Sequence, residues 1–174
     1  MSLSPDRFTG VNAAVLTPVT DDLIPDDALM LEYSNWLMAN GCDGLAILGT
    51  TGEANCFSLK ERIRIIERLI EGGIPSKSLM PGTGSCALTD AVELTRMAVK
   101  AGCGGVLMLP PFYYKNPSDA GLFRFFSEVI QRVGDSNLQI YLYHFPQMSA
   151  TPITYNLIEI LLKEYPDTVC GMKD

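Results

Sequence analysis

A lysine closes an apolar, strand-like run at the end of the sequence, Cys170-Gly171-Met172-Lys173-Asp174. On the surface such a side chain is a solvated charge that does no chemistry. At the carboxyl end of a buried strand, desolvation favours the neutral amine, and a neutral amine attacks a keto group to form an imine. Position alone leaves both readings of Lys173 open, so its companions carry the decision.

Tyr141, Tyr143 and His144 lie in an earlier apolar run, Gln139 to His144. Side chains alternate along a strand, which puts Tyr141 and Tyr143 on one face and His144 on the other. Tyr143, at the carboxyl end of that run, is the candidate for proton transfer, whereas His144, the single histidine, is assigned a satisfied structural role. Gly49-Thr50-Thr51-Gly52-Glu53 directly follows the run Gly44 to Leu48. Its glycines let the backbone turn with N–H groups exposed and its threonines add hydroxyl donors, so the loop can hold a carboxylate or a phosphate without arginine; the alternative is a plain strand-to-helix turn. It is neither a P-loop nor a GxGxxG fingerprint. Gly82-Thr83-Gly84-Ser85 follows a third run and is read as lining the same mouth, because the third glycine and the acidic partner of a dinucleotide site are missing. The aromatics of Pro110-Pro111-Phe112-Tyr113-Tyr114-Lys115-Asn116-Pro117 follow no helical or strand period and are expected to line a pocket or a subunit contact.

These residues need a scaffold, and the periodicity supplies one: short apolar runs alternate with segments whose apolar residues fall at helical spacing. The strands are expected at Val11 to Leu16, Gly44 to Leu48, Ser78 to Pro81, Gly105 to Leu109, Gln139 to His144 and Thr168 to Met172. The first helix, Asp26 to Ala39, is read with Leu29, Tyr33, Trp36 and Leu37 on its core face. The second, Ser58 to Glu71, opens with a capping box of Ser58 and Glu61 and stripes Leu59, Ile63, Ile66 and Ile70. Ala87 to Ala101, Ser118 to Val133 and Thr154 to Glu164 complete the set, with Ala91, Leu94 and Ala98, then Leu122, Phe125, Phe126 and Val129, then Leu157, Ile158, Leu161 and Leu162 facing inward. Strands that are apolar throughout imply a parallel sheet covered on both faces. A faint repeat, Asn-Gly-Cys-Asp-Gly before Leu45 and Ala-Gly-Cys-Gly-Gly before Val106, places a glycine where each preceding helix needs a left-handed cap.

A net charge of −7 over 174 residues argues against nucleic acid and against an anionic membrane surface, leaving a small molecule or a second copy of the chain as partner. Cys42, Cys56, Cys86, Cys103 and Cys170 are odd in number, contain no CxxC pair and lie mostly in apolar or Gly-rich context, so they are read as buried free thiols of a reducing, cytoplasmic compartment. With one histidine, no metal site is expected. No apolar run reaches the ~20 residues of a membrane span, and the start Met1-Ser2-Leu3-Ser4-Pro5-Asp6-Arg7-Phe8 lacks the apolar core of a secretory signal; Met1 to Leu3 are read as a cloning remnant.

Together these segments resemble the dihydrodipicolinate synthase and N-acetylneuraminate lyase family of Schiff-base aldolases. The resemblance rests on Leu16-Thr17-Pro18, Gly49 to Glu53, Pro81 to Ser85, Pro110 to Pro117, Leu142-Tyr143-His144-Phe145-Pro146 and Gly171 to Asp174, in matching order from about Phe8 to the end. It implies an α/β fold of the (β/α)8 TIM barrel type and a lyase or aldolase that needs no cofactor. By the same resemblance Lys173 forms the imine with pyruvate or a related 2-keto acid. Tyr143 shuttles protons through the hydroxyl of Thr50, while Thr51, with the Gly49 and Gly52 turn, clamps the carboxylate. Tyr114, or Tyr113, is lent to a neighbouring subunit's site, implying a homo-oligomer, dimer or tetramer. Met148 stands near the place of the synthase's arginine that grips the aldehyde's carboxylate. A thioether cannot grip a carboxylate, which counts against lysine biosynthesis, while Pro110 to Tyr114 and Gly171 to Asp174 resemble the branch that cleaves or condenses 2-keto-3-deoxy sugar acids or sialic-acid-like substrates and that includes dehydratases.

Such barrels run to about 250 residues, and the chain supplies five strand-helix units and a sixth strand. The expectation is therefore one domain over residues 1–174, the N-terminal part of a barrel truncated after strand 6, with an open edge that a complete sheet would cover. Three alternatives stay open: dihydrodipicolinate synthase-type condensation, a flavodoxin-like open sheet complete at this length, and a catalytically silent keto-acid-binding protein.

Overall fold

The computed structural model describes residues 8–174; the readings of Met1 to Leu3 and of the signal-free start lie outside the described residues. The chain divides into two compact units, each an alternation of parallel strands and helices. The first runs to Gly82 and takes in Lys100–Gly105, and the second comprises Thr83–Val99 and Val106–Asp174.

In the first unit, β1 (Asn12–Ala14) and β2 (Gly44–Ala46) pair in parallel, Ala13 opposite Leu45. The crossover between them is α1 (Asp27–Ala39), and α2 (Leu59–Glu71) leads back to a third extended segment. That segment makes a parallel bridge from Leu79 to Leu45, and the amides of Met80 and Gly82 donate to the carbonyls of Leu45 and Ile47 at 2.9 and 2.8 Å. It is less of a strand than expected. Pro75 introduces a 3-10 turn over Ser76–Ser78, and Pro81 has no N–H to give a ladder.

The capping box at Ser58 is present: its hydroxyl receives the Glu61 amide, and the Glu61 carboxylate receives the Ser58 amide at 2.8 Å. The face α2 buries, however, is Arg62, Ile65, Ile66 and Leu69, one position round from the expected stripe; only Ile66 belongs to both. A buried arginine moves the face. Arg62 is 6% exposed and donates from Nη2 to the carbonyl of Gly82 at 2.8 Å, so a residue counted as solvent-facing turns inward. α1 differs further, burying Met30 and Ser34 while Leu29 and Trp36 are 47% and 59% exposed. Its apolar residues run nearly all round the helix, and spacing alone cannot choose among faces. Asp26 caps α1, its carboxylate accepting from the Leu29 amide at 3.0 Å. Asp27 meets the guanidinium groups of Arg64 and Arg68 on α2 at 3.4 and 3.8 Å.

In the second unit, β3 (Val106–Met108), β4 (Ile140–Tyr143) and β5 (Val169–Lys173) form a parallel sheet in that order. α3 (Leu88–Lys100), all but its last residue in this unit, buries Ala91, Leu94 and Ala98 as expected. α4 (Asp119–Val133) buries Leu122, Phe126 and Val129, and α6 (Tyr155–Glu164) buries Leu157 and Leu161; each large apolar side chain so buried contributes about 1.5–3 kcal/mol of transfer free energy. Ser118 and Thr154 cap α4 and α6. A four-residue helix unforeseen from periodicity, α5 (Pro146–Ser149), follows β4, too short to show a period. The repeat's glycines behave as anticipated: Gly41 after α1 and Gly102 after α3 sit at φ 97° and 78°, a region glycine enters without strain.

The cysteines correct one expectation. All five are free, but none is buried, and Cys56 and Cys86 are exposed. Four of them, Cys42, Cys56, Cys86 and Cys103, lie in the turns and loops between elements, where an apolar neighbourhood in sequence does not guarantee cover in space. Partial burial pushes the Cys103 thiol up, to about 11.

α4 and α6 are tied at their starts by one carboxylate. Asp119 accepts from Asn156 Nδ2 and from Thr154 Oγ1, each at 2.8 Å, and these bonds, Asn156 first and then Thr154, hold its carboxyl below the usual carboxylate range. A group whose folded-state pKa is depressed adds stability that is complete above its unfolded value, about 3.9, and lost as pH falls through the lower folded value. Stability should therefore drop more steeply between about pH 5 and 3 in the unsubstituted protein than in Asp119→Asn, a comparison readable by thermal denaturation across that range.

Candidate active site

The chemistry-bearing residues sit at the carboxyl ends of strands, where short strands hand over to loops. In the first unit the Gly49–Glu53 loop leaves β2 through two strained residues. Leu48, buried, has φ 54° and Glu53 has φ 49°, values that L side chains rarely adopt outside sites over-determined by their surroundings. The loop closes on itself: Glu53 donates its amide to Thr50 at 3.0 Å and Ala54 to Gly49 at 3.2 Å, leading into a 3-10 turn over Ala54–Cys56.

Gly52 anchors the loop to the end of β1. A β-carbon there would lie 2.8 Å from the Val15 carbonyl, so no other residue fits without a shift. Its own carbonyl accepts from Thr17 Oγ1 at 2.8 Å. The carbonyls of Gly49, Thr50 and Gly52 are thus all engaged by protein donors, whereas the amides of Thr51 and Gly52 meet no acceptor among the described residues. A loop with its acceptors turned in and donors left over has the donor chemistry that an anion calls for.

In the second unit, β4 and β5 bring Tyr143 and Lys173 together. They are register partners across the parallel ladder, and Lys173 Nζ lies over the Tyr143 ring, 4.3 Å from its centroid. Tyr143 is 5% exposed, and its ring stacks on Phe145 with centroids 6.0 Å apart. Tyr141 points to the same face, opposite Gly171. His144 takes the structural role expected of it: its Nδ1 accepts the Ile153 amide at 3.0 Å, while its own amide donates to the Lys173 carbonyl at 2.8 Å.

The Pro110–Pro117 loop presents its aromatics to solvent. Tyr113 and Tyr114 are 70% and 84% exposed and meet edge to face, centroids 5.1 Å apart. Lys115 Nζ bonds the Phe112 carbonyl, and Asn116 turns the chain at φ 55°. Met148 is exposed on α5. Thr83 is buried and accepts from Thr95 Oγ1 at 3.0 Å, which makes its hydroxyl part of the core. Among the described residues no three His, Cys, Asp or Glu side chains gather as a metal site, and no helix is long and apolar enough to cross a membrane.

Three features escaped sequence reasoning: the hydroxyl of Thr17, the inward turn of Arg62, and a one-residue shift in the β4–β5 ladder. Only the first left a trace, a hydroxyl residue at a strand end just before Pro18.

The model of the dihydrodipicolinate synthetase family matches residues 7–174. The chain belongs to that family. It is 37% identical over 166 residues to the uncharacterized DapA-like lyase of Chloroflexus aurantiacus, covering 95% of this chain and 55% of that protein. Among solved structures it is similar to dihydrodipicolinate synthase from Agrobacterium tumefaciens str. C58, with a TM-score of 0.91, 32% identity and coverage of 95% of this chain and 57% of that one. It is also similar to YagE, a prophage protein of the family from E. coli K12 in complex with pyruvate, with a TM-score of 0.85, 30% identity and coverage of 96% and 54%. The chain thus spans a little over half the length of these family members.

Within the family member described here, Thr17 is the tie that holds the Gly49–Glu53 loop to β1. Thr17→Val is expected to cost about 1 kcal/mol in urea denaturation, because it removes the donor and leaves the Gly52 carbonyl unpartnered, while Thr17→Ser restores most of that loss.

Proposed function

We propose that the protein is a Schiff-base lyase or aldolase in which Lys173 forms an imine with pyruvate or a related 2-keto acid, and that its strands are the first six of a (β/α)8 barrel. The observation that carries the reading is the register pairing of Lys173 with Tyr143, an amine 4.3 Å from the centroid of a buried phenol ring. Family membership and a pyruvate-bound relative support it.

In this reading the neutral amine of Lys173 adds to the keto carbon as the carbonyl π electrons pass to oxygen. That oxygen is protonated and leaves as water, giving a protonated imine. The imine then serves as an electron sink: a proton leaves the adjacent methyl group, and the resulting enamine adds to an aldehyde carbon. The reverse path cleaves the carbon–carbon bond. The Tyr143 hydroxyl supplies and removes the protons, with the Thr50 hydroxyl as relay. Thr51 and the amides of the Gly49–Gly52 turn take the keto acid's carboxylate. Solvent-facing Tyr114, or its neighbour Tyr113, serves a second copy of the chain in a homo-oligomer, dimer or tetramer. The reaction calls for no metal or other cofactor, and a cytoplasmic setting suits its soluble substrates.

Met148 directs the choice of aldehyde. Exposed on α5, it offers no positive charge to a second carboxylate, which favours 2-keto-3-deoxy sugar acids or sialic-acid-like substrates, with dehydration as a related outcome. A second reading, synthase-type condensation, is favoured by the synthase structure to which the chain is similar. Substrate profiling with 2-keto-3-deoxy acids against pyruvate plus an aldehyde that carries its own carboxylate separates the two. A silent keto-acid-binding protein, in turn, would bind pyruvate with no covalent step.

Borohydride reduction in the presence of pyruvate should leave a stable mass adduct on Lys173 that is absent from Lys173→Ala. Tyr143→Phe should slow adduct formation about 10²-fold or more, within the range of a lost acid–base group. An unmodified Lys173 in the unsubstituted protein would rule out the imine.

A further inference from the structure

The face on which Lys173 lies is not the one a regular strand would give it. Ile140 pairs with Val169, but the next residue, Tyr141, pairs with Gly171, and Leu142 and Tyr143 continue with Met172 and Lys173. One residue of β5, Cys170, is therefore extra to the ladder, a bulge of the kind that re-aims the side chains beyond it. Parity makes the consequence plain. Lys173 is four residues from Val169, and in an unbroken strand positions an even number apart share a face. Without the bulge Lys173 would share the face of Val169 and Ile140, away from Tyr143, and Met172 would stand beside the tyrosine.

Something must place the extra residue at Cys170 and not elsewhere, and the contacts of Gly171 identify it. A β-carbon on Gly171 would lie 2.9 Å from Cδ1 and 3.1 Å from Cε1 of Tyr141, so the tyrosine ring covers the space where any other side chain would start. The backbone of Gly171 has no positive φ to explain the glycine. Its smallness is used sideways, by the ring of its register partner. In the unbulged register Cys170, with a side chain, would stand in that place.

We infer that Gly171 is a positioning residue: by accepting the Tyr141 ring beside it, it pins the bulge at Cys170 and so delivers Lys173 to the face of Tyr143. The inference rests on the imine reading only for its catalytic consequence. The register itself has a separate signature, because the ε-protons of a lysine held over a phenol ring are shifted upfield by the ring current.

The test uses Gly171→Val in the full chain, since valine favours strands and a loss cannot then be traced to strand propensity. Borohydride trapping of pyruvate on Lys173 should slow about a hundredfold, as expected for an ångström-scale misplacement. The upfield Lys173 ε-proton signal, assigned by its absence from Lys173→Arg in lysine-labelled protein, should move toward the free-lysine position. Tyr141→Ala, which removes the ring and leaves Gly171 in place, should produce the same two changes, because nothing then keeps Cys170 out of the position opposite residue 141; circular dichroism establishes that each variant is folded. If Gly171→Val does not fold, Gly171→Ala provides the same comparison. Trapping and proton shift unchanged in a folded Gly171 variant would overturn the inference, and so would an unchanged proton shift in folded Tyr141→Ala. No adduct in the unsubstituted protein would end the imine reading instead, and the proton shift would then decide the register by itself.

Discussion

Two parallel strands, β4 and β5, hold a phenol and an amine side by side, and the rest of the second unit is arranged so that they stay there. In a parallel ladder neighbouring strands lie about 4.8 Å apart, close enough that register partners on one face touch without reaching. Lys173 reaches Tyr143 along its own stem, with Nζ over the ring. The price is strict dependence on register, since a slip of one residue would exchange Lys173 for Met172.

The surroundings of that pair resist such a slip. The amide of His144 is bonded to the Lys173 carbonyl, and its ring nitrogen to the Ile153 amide, so the end of β4 is held by both β5 and the segment after α5. Ser149 and Thr151, both buried, extend this support: the Ser149 hydroxyl bonds the carbonyls of Phe145 and Thr151 at 3.1 and 3.2 Å. Phe145 stacks on Tyr143. Farther out, Asp119 joins the starts of α4 and α6. In the first unit the Gly49–Glu53 loop is restrained in a similar way, with Thr17 and the backbone taking its carbonyls and leaving amides available.

Much of this was legible in the residues. Helices opening on Asp26, Ser58, Ser118 and Thr154 announced themselves because a capping side chain and the helix it starts are neighbours in sequence. Tyr143 and Lys173 at strand ends, and the glycine-flanked threonines after β2, were legible for the same reason, since strand, turn and side chain lie within a few residues of one another. The buried face of α1 was not, because apolar residues surround that helix. Nor was Arg62, whose burial depends on a carbonyl twenty positions away. The cysteines misled because neighbouring apolar residues in the chain need not cover them in space.

The order of elements, the parallel character of the strands and the helix starts were determined by the sequence by itself, for these follow from local spacing and composition. Which face each helix buries, and which face Lys173 occupies, were decided only by tertiary structure. A strand's side-chain parity is set by pairing with its neighbour, and the extra residue at Cys170 is invisible until Tyr141 lies beside Gly171. Counted along the chain alone, Lys173 would share the face of Val169; the packing of a ring against a glycine carries it to the other.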